Sequence, residues 1–147
     1  MTYLLIHGPN LNRLGHRDST QYGSLSLAAI NTRIQEWAND ASVTVTIIQH
    51  NSESDIINAL HEADDTVAGV VINPAGYTHT SVSIRDAIES LSIPVVEVHL
   101  SNIHRREPFR HVSYTAPVCV GQLAGFGWRG YIMALDYLVS CDASSNS

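Results

Sequence analysis

Val67-Ala68-Gly69-Val70-Val71-Ile72-Asn73-Pro74-Ala75-Gly76 is the stretch that decides the fold. A strand with one face in water alternates apolar and polar residues. Here the run to Ile72 is apolar at every position, so both faces must be covered, as in a parallel sheet flanked by helices. Asn-Pro-Ala-Gly then ends it as a turn. Working outward, Tyr3–Ile6 is a similar apolar run. Val43–Ile48 is β-branched, Pro94–Leu100 is mostly apolar, and Pro117–Gly121 reads as a short fifth strand.

Helical spacing fills the intervals. Leu25, Leu27, Ala28, Ile30, Ile34, Trp37 and Ala38 recur on one face. Ser52 or Ser54 caps a second helix carrying Ile56, Ile57, Leu60 and Ala63. A third starts between Thr78 and Ser81, and a last one is expected from about Gln122 to Ser140, before a frayed polar tail from Asp142 to Ser147. Alternating strands and helices predict a flavodoxin-like doubly wound α/β fold: a five-stranded parallel sheet of order 2-1-3-4-5, in one domain spanning residues 1–141. Ligands of such sheets bind beyond the carboxyl ends of the strands, and the loops after strands one, three and four hold most of the reactive polar residues.

The 147-residue chain carries a formal charge of −6, which speaks against sequence-independent nucleic-acid binding. All 8 basic residues are arginines. With no lysine, neither a Schiff base nor a P-loop lysine can form. Arg105, Arg106 and Arg110 cluster beside His104 and His111, a basic pocket suited to a small anion. No apolar run is long enough to span a bilayer and no leader pattern opens the chain, so a cytoplasmic protein is expected. Cys119 and Cys141 have no metal-type spacing and read as ordinary thiols.

Strand periodicity puts Glu97 and His99 on one face, where a carboxylate can fix the tautomer of an imidazole and make it a general acid. A zinc site from His99, His104 and His111 is an alternative, but the spacing matches no familiar ligand pattern. No Gly-x-Ser-x-Gly elbow is present. Gly125-Phe-Gly127-Trp-Arg-Gly130 matches a dinucleotide fingerprint but stands at the last helix, where close packing is the expected use. The long connection from about Asn10 to Gly23 carries Asn10, Arg13, Arg17 and Tyr22 and is read as an active-site lid.

Four segments together resemble the type II 3-dehydroquinate dehydratases. They are His7-Gly-Pro-Asn-Leu-Asn with Leu14-Gly-x-Arg17 and Tyr22-Gly23; Gln49-x-Asn51-x-Glu53; Ile72-Asn73-Pro-Ala with Thr78-His-Thr-Ser-Val-Ser-Ile-Arg-Asp86; and Glu97-Val-His-Leu-Ser-Asn102 with His104-x-Arg106-Glu-Pro-Phe-Arg110. The resemblance implies dehydration of 3-dehydroquinate to 3-dehydroshikimate by anti elimination through an enolate, with no metal or organic cofactor. It implies a trimer-based homododecamer and a role in the shikimate or quinate pathway. A flavodoxin-like module that binds a small anion without turnover is the alternative.

By the same resemblance Tyr22 is the base. A free phenol has a pKa near ~10, so lowering it to ~7 needs about 4 kcal/mol of preferential tyrosinate stabilisation. Arg17 is the expected source, with Arg106 second. Asn10 holds a water at the enolate oxygen, and His99, positioned by Glu97, protonates the leaving hydroxyl. The substrate carboxylate rests on Asn73, Ser101 and N–H groups near Ile103. His79 and Arg110 bind ring hydroxyls, and Asp86 reaches a neighbouring subunit's site. Arg85 has no assigned role. The chain departs from the family pattern at Asp18-Ser19, where Glu-Pro is usual, and at His7, His50 and Arg105, where asparagine, serine and alanine are common. None of these is expected to touch a catalytic group.

Overall fold

The computed structural model describes residues 1–16 and 25–145. Arg17 and Tyr22 therefore lie outside the described residues, as does the second half of the expected lid. Five strands, β1 Thr2–His7, β2 Thr44–Gln49, β3 Gly69–Asn73, β4 Val95–His99 and β5 Gly121–Ala124, form one sheet of order β2-β1-β3-β4-β5. Every pairing is parallel, as the unbroken apolar runs predict. Four α-helices flank it: α1 Leu27–Ala41, α2 Glu53–Ala63, α3 Val82–Glu89 and α4 Arg129–Ser145.

The pleat sends successive side chains to opposite faces, and two cores result. Tyr3 and Leu5 of β1, Val71 of β3 and Val96 and Val98 of β4 pack with Ile30, Ile34 and Ala38 of α1 and with Tyr131 and Leu135 of α4. Leu4, Ile6, Val70, Ile72 and Val95 pack on the other face with Ile56 and Leu60 of α2 and Ile84 and Ile88 of α3. Serines start three of the helices. Ser26, Ser52 and Ser81 each accept a bond from the backbone N–H three residues on, satisfying one otherwise orphaned donor per helix, worth about 1 kcal/mol each.

Two expectations at the C-terminal end need correction. The fifth strand is Gly121–Ala124, not Pro117–Gly121, because Ala116–Val118 closes into a 3-10 turn around Pro117. The last helix starts at Arg129 rather than Gln122 and continues to Ser145. The Tyr3 hydroxyl donates to the Asp142 carboxylate, tying the start of the polar tail to β1.

The fold brings the ends of β1, β3 and β4 together. The Gly8 N–H donates to the Asn73 carbonyl at 2.8 Å. A Cβ at Gly8 would stand 2.6 Å from that oxygen, so only glycine lets these strand ends approach.

Candidate active site

A cleft lies beyond the carboxyl ends of β1, β3 and β4. Asn10, Asn73, His79, His99, Ser101, Ile103, Arg106 and Arg110 line it. The cleft thus gathers eight of the sequence-predicted site residues. Glu97 sits directly behind His99. Asp86 is exposed on α3 and does not line the cleft.

Glu97 is fully buried on β4, which would ordinarily neutralise a carboxyl group. Its Oε2 accepts from His99 Nε2 at 2.8 Å, Gln122 Nε2 at 2.7 Å and Ser113 Oγ at 3.1 Å, while Oε1 accepts from the Thr115 hydroxyl. Burial raises its pKa, but the His99, Thr115 and Gln122 donors outweigh burial and hold the group below the usual carboxylate range. The bond to Glu97 puts the proton on His99 Nε2 and leaves Nδ1 as the nitrogen available to a ligand. Thr78 Oγ1 lies 3.3 Å from the same Nε2.

His79 stacks against His99 with ring centroids 6.4 Å apart. Its Nδ1 donates to the Val112 carbonyl at 2.8 Å. Burial lowers its pKa, with the neighbouring His99 and Arg110 acting in the same direction. On the loop after β4, Glu107 bridges two guanidinium groups, 3.7 Å from Arg106 Nε and 3.2 Å from Arg110 Nε. Arg106 also donates to Ser101 Oγ at 3.4 Å. His104 and His111 lie near each other, ring centroids 6.0 Å apart. Among the described residues no three His, Cys, Asp or Glu side chains converge as metal ligands.

The rim is shaped by backbone that side chains rarely tolerate. Asn10 (φ 69°) and Ala75 (φ 52°) both adopt left-handed conformations. The Asn10 N–H donates to Asn51 Oδ1 at 3.0 Å, and Gln49 Nε2 donates to that oxygen at 3.0 Å and to the Gly8 carbonyl at 3.1 Å. The Gln49-x-Asn51 pair therefore braces the turn that presents Asn10. Asn73 Oδ1 accepts from the Ala75 N–H at 3.0 Å, and Asn73 Nδ2 donates to the Tyr131 hydroxyl at 2.9 Å.

The sequence profile described as Dehydroquinase class II matches residues 1–139. The 3-dehydroquinate dehydratase of Bacillus pumilus (strain SAFR-032) is 51% identical over 138 residues, covering 94% of each chain. The chain belongs to the class II dehydroquinase family. Solved structures agree. The type II dehydroquinase from Butyrivibrio crossotus DSM 2876 superimposes with a TM-score of 0.92 at 46% identity, covering 94% of this chain and 97% of that one. The one from Propionibacterium acnes gives 0.92 at 38% identity, over 95% and 96%.

In this class II dehydroquinase the donors around Glu97 went unrecognised in the sequence. Gln122 stands opposite Glu97 in the parallel register, and placing β5 too early hid that pairing. Ser113 and Thr115 carried no assignment, and Thr78 was read only as a helix start and part of a family motif. Tyr131 looked like one more packing residue of the last helix. The glycines of the fingerprint-like segment divide their work: Gly125 and Gly127 take positive φ in the turn before α4, and Gly130 packs against Val98. Arg85 donates to the Tyr114 carbonyl at 3.0 Å, bracing the loop rather than facing the cleft.

Proposed function

We propose that this protein is a 3-dehydroquinate dehydratase of the shikimate or quinate pathway, a hydro-lyase that forms 3-dehydroshikimate by anti elimination through an enolate. The observation that carries the reading is the buried Glu97–His99 pair, whose His99 lines the same cleft as Arg106 and Arg110. That is a proton donor set beside an anion-binding surface, which a carboxylated hydroxyketone requires.

The base removes a proton alpha to the ketone, and the electron pair becomes an enolate. Collapse of the enolate expels the hydroxyl from the next carbon, and protonation of that hydroxyl releases water. His99 supplies that proton from Nδ1, with Glu97 stabilising the imidazolium. Asn10 faces the enolate oxygen through a water, since donors placed where charge develops lower the barrier most. Asn73, Ser101 and the backbone near Ile103 hold the carboxylate; His79 and Arg110 hold ring hydroxyls. By family resemblance Tyr22 is the base, Arg17 the cation that lowers its pKa, and Arg106 a second cation near it. Asp86, exposed on α3, fits a role in a neighbouring subunit's site within a trimer-based dodecamer. No helix among the described residues is long and apolar enough to cross a membrane, and we assign the enzyme to the cytoplasm.

The test is to supply 3-dehydroquinate and follow the conjugated product by ultraviolet absorbance. Chelator and borohydride should both leave the rate unchanged. Tyr22→Phe and Arg17→Ala should each abolish nearly all turnover while the oligomer persists in light scattering. Tight binding with no product would instead identify a binding module.

A further inference from the structure

His7 touches no proposed catalytic group, but it is the register partner of Asn73, which lines the cleft. We propose that His7 and Tyr131 are positioning residues that hold the Asn73 amide in the orientation that binds the substrate carboxylate; this rests on the role of Asn73 in the function proposed above. The three residues are buried: His7 and Tyr131 have no exposed surface and Asn73 has 2%. His7 and Asn73 end neighbouring strands on the face that α1 and α4 cover, and they are register partners.

The hydrogen bonds can run in only one direction. The Ala75 N–H can only donate, so the Asn73 atom 3.0 Å from it is the carbonyl oxygen. The Asn73 amide nitrogen then donates to the Tyr131 oxygen at 2.9 Å. Tyr131 must spend its own proton elsewhere, and the nearby acceptor is His7 Nδ1 at 3.1 Å. His7 Nε2 therefore carries the ring proton and gives it to Asn31 Oδ1 at 2.8 Å. Asn31 anchors the chain of bonds on α1. The imidazole is held neutral, since burial lowers its pKa to about 4 against the raising effect of Asn31. A neutral ring is what an acceptor at Nδ1 requires.

With Oδ1 taken by Ala75 and one amide proton by Tyr131, Asn73 has one N–H left, and it is the group a carboxylate in the cleft would meet. The relay decides which end of the amide faces the substrate. A flipped or wandering Asn73 would offer an oxygen to an anion and would release Ala75 from its left-handed turn.

The test compares Tyr131→Phe with three substitutions at His7. Asparagine places an oxygen where Nδ1 stands, glutamine places one where Nε2 stands, and leucine supplies neither. A carboxylate contact made equally in ground and transition states appears in KM. Tyr131→Phe, His7→Leu and His7→Gln should raise KM for 3-dehydroquinate roughly tenfold, with kcat held within about threefold, as for loss of one charge-assisted bond. His7→Asn should restore KM. Equal KM in all four variants, with only melting temperatures lowered, would overturn the relay, and so would an asparagine variant no better than leucine. Should Tyr131→Phe fail to fold, the His7→Asn and His7→Gln pair still decides. Absence of turnover in the wild type would refute the proposed function instead. The relay would then be judged by the Asn73 side-chain amide resonances, which must move in His7→Leu and stay in His7→Asn.

Discussion

Two histidines end two strands of the same sheet, and their surroundings make them different reagents. His7 closes β1 and His99 closes β4; both are nearly or fully buried, at 0% and 5% exposure. His7 points toward α1 and α4 and meets only neutral partners, an asparagine carbonyl and a tyrosine hydroxyl. His99 points to the opposite face and meets a carboxylate that four donors keep ionised. Burial lowers the pKa of His7, and His99 has a carboxylate within hydrogen-bond reach, which His7 lacks among the described residues. The first is fixed as a neutral hydrogen-bond relay and the second is equipped to carry a proton. Position in the fold does not settle a histidine's chemistry; the charge of its partner does.

The contrast breaks most sharply at His99. His99→Ala should lower kcat by roughly 10²- to 10⁴-fold, the usual range for losing a general acid, whereas His7→Asn should leave kcat close to wild type in the same absorbance assay. Glu97→Gln should lower kcat less than His99→Ala, because the ring stays but its cationic form loses its counter-charge. In the pH–rate profile the alkaline limb, where the acid loses its proton, should move to lower pH.

A second test uses stability. The pKa of His7 is about 4 folded and near ~6.5 unfolded. The unfolded chain therefore binds the extra proton, and the contribution is fully present above ~6.5 and lost as pH falls toward 4. A shift of this size corresponds to about 3 kcal/mol. Urea titrations across this window should show the loss in wild type and most of it absent in His7→Asn. Glu97 acts in a lower window: its depressed pKa gives stability above the ordinary carboxylate value, lost as pH falls through the folded one. Ser113→Ala should have the smallest effect, about 1 kcal/mol in urea midpoint, because three other donors still hold Glu97.

What the sequence made legible follows from where the physics is local. The buried parallel sheet was readable because Val70, Val71 and Ile72 have no polar member, and strand parity alone put Glu97 and His99 together. β5 was misread because its neighbours Val118 and Val120 are more apolar than Gly121-Gln122-Leu123-Ala124 itself. An edge strand buries little, so its hydrophobic signal is weak. The Ser113, Thr115 and Gln122 donors to Glu97 and the Tyr131 bridge join residues 16 to 124 positions apart. No spacing rule anticipates such contacts; His7 touches no proposed catalytic group, as expected, but its bond to Tyr131 could not be foreseen. Asn73 and His79 were singled out only through agreement with the family's motifs, whereas Asn10 and Arg110 already stood out in the long polar connection and the basic cluster.

The two left-handed residues at the rim, Asn10 and Ala75, each follow a proline and each have a backbone N–H tied to an asparagine side chain. Such a conformation costs a residue with a β-carbon on the order of 1 kcal/mol, so the mouth of the cleft is wound like a spring before any ligand arrives. Glycine at 75 would let that tension go without altering the contour, and a β-branched residue could not be seated there.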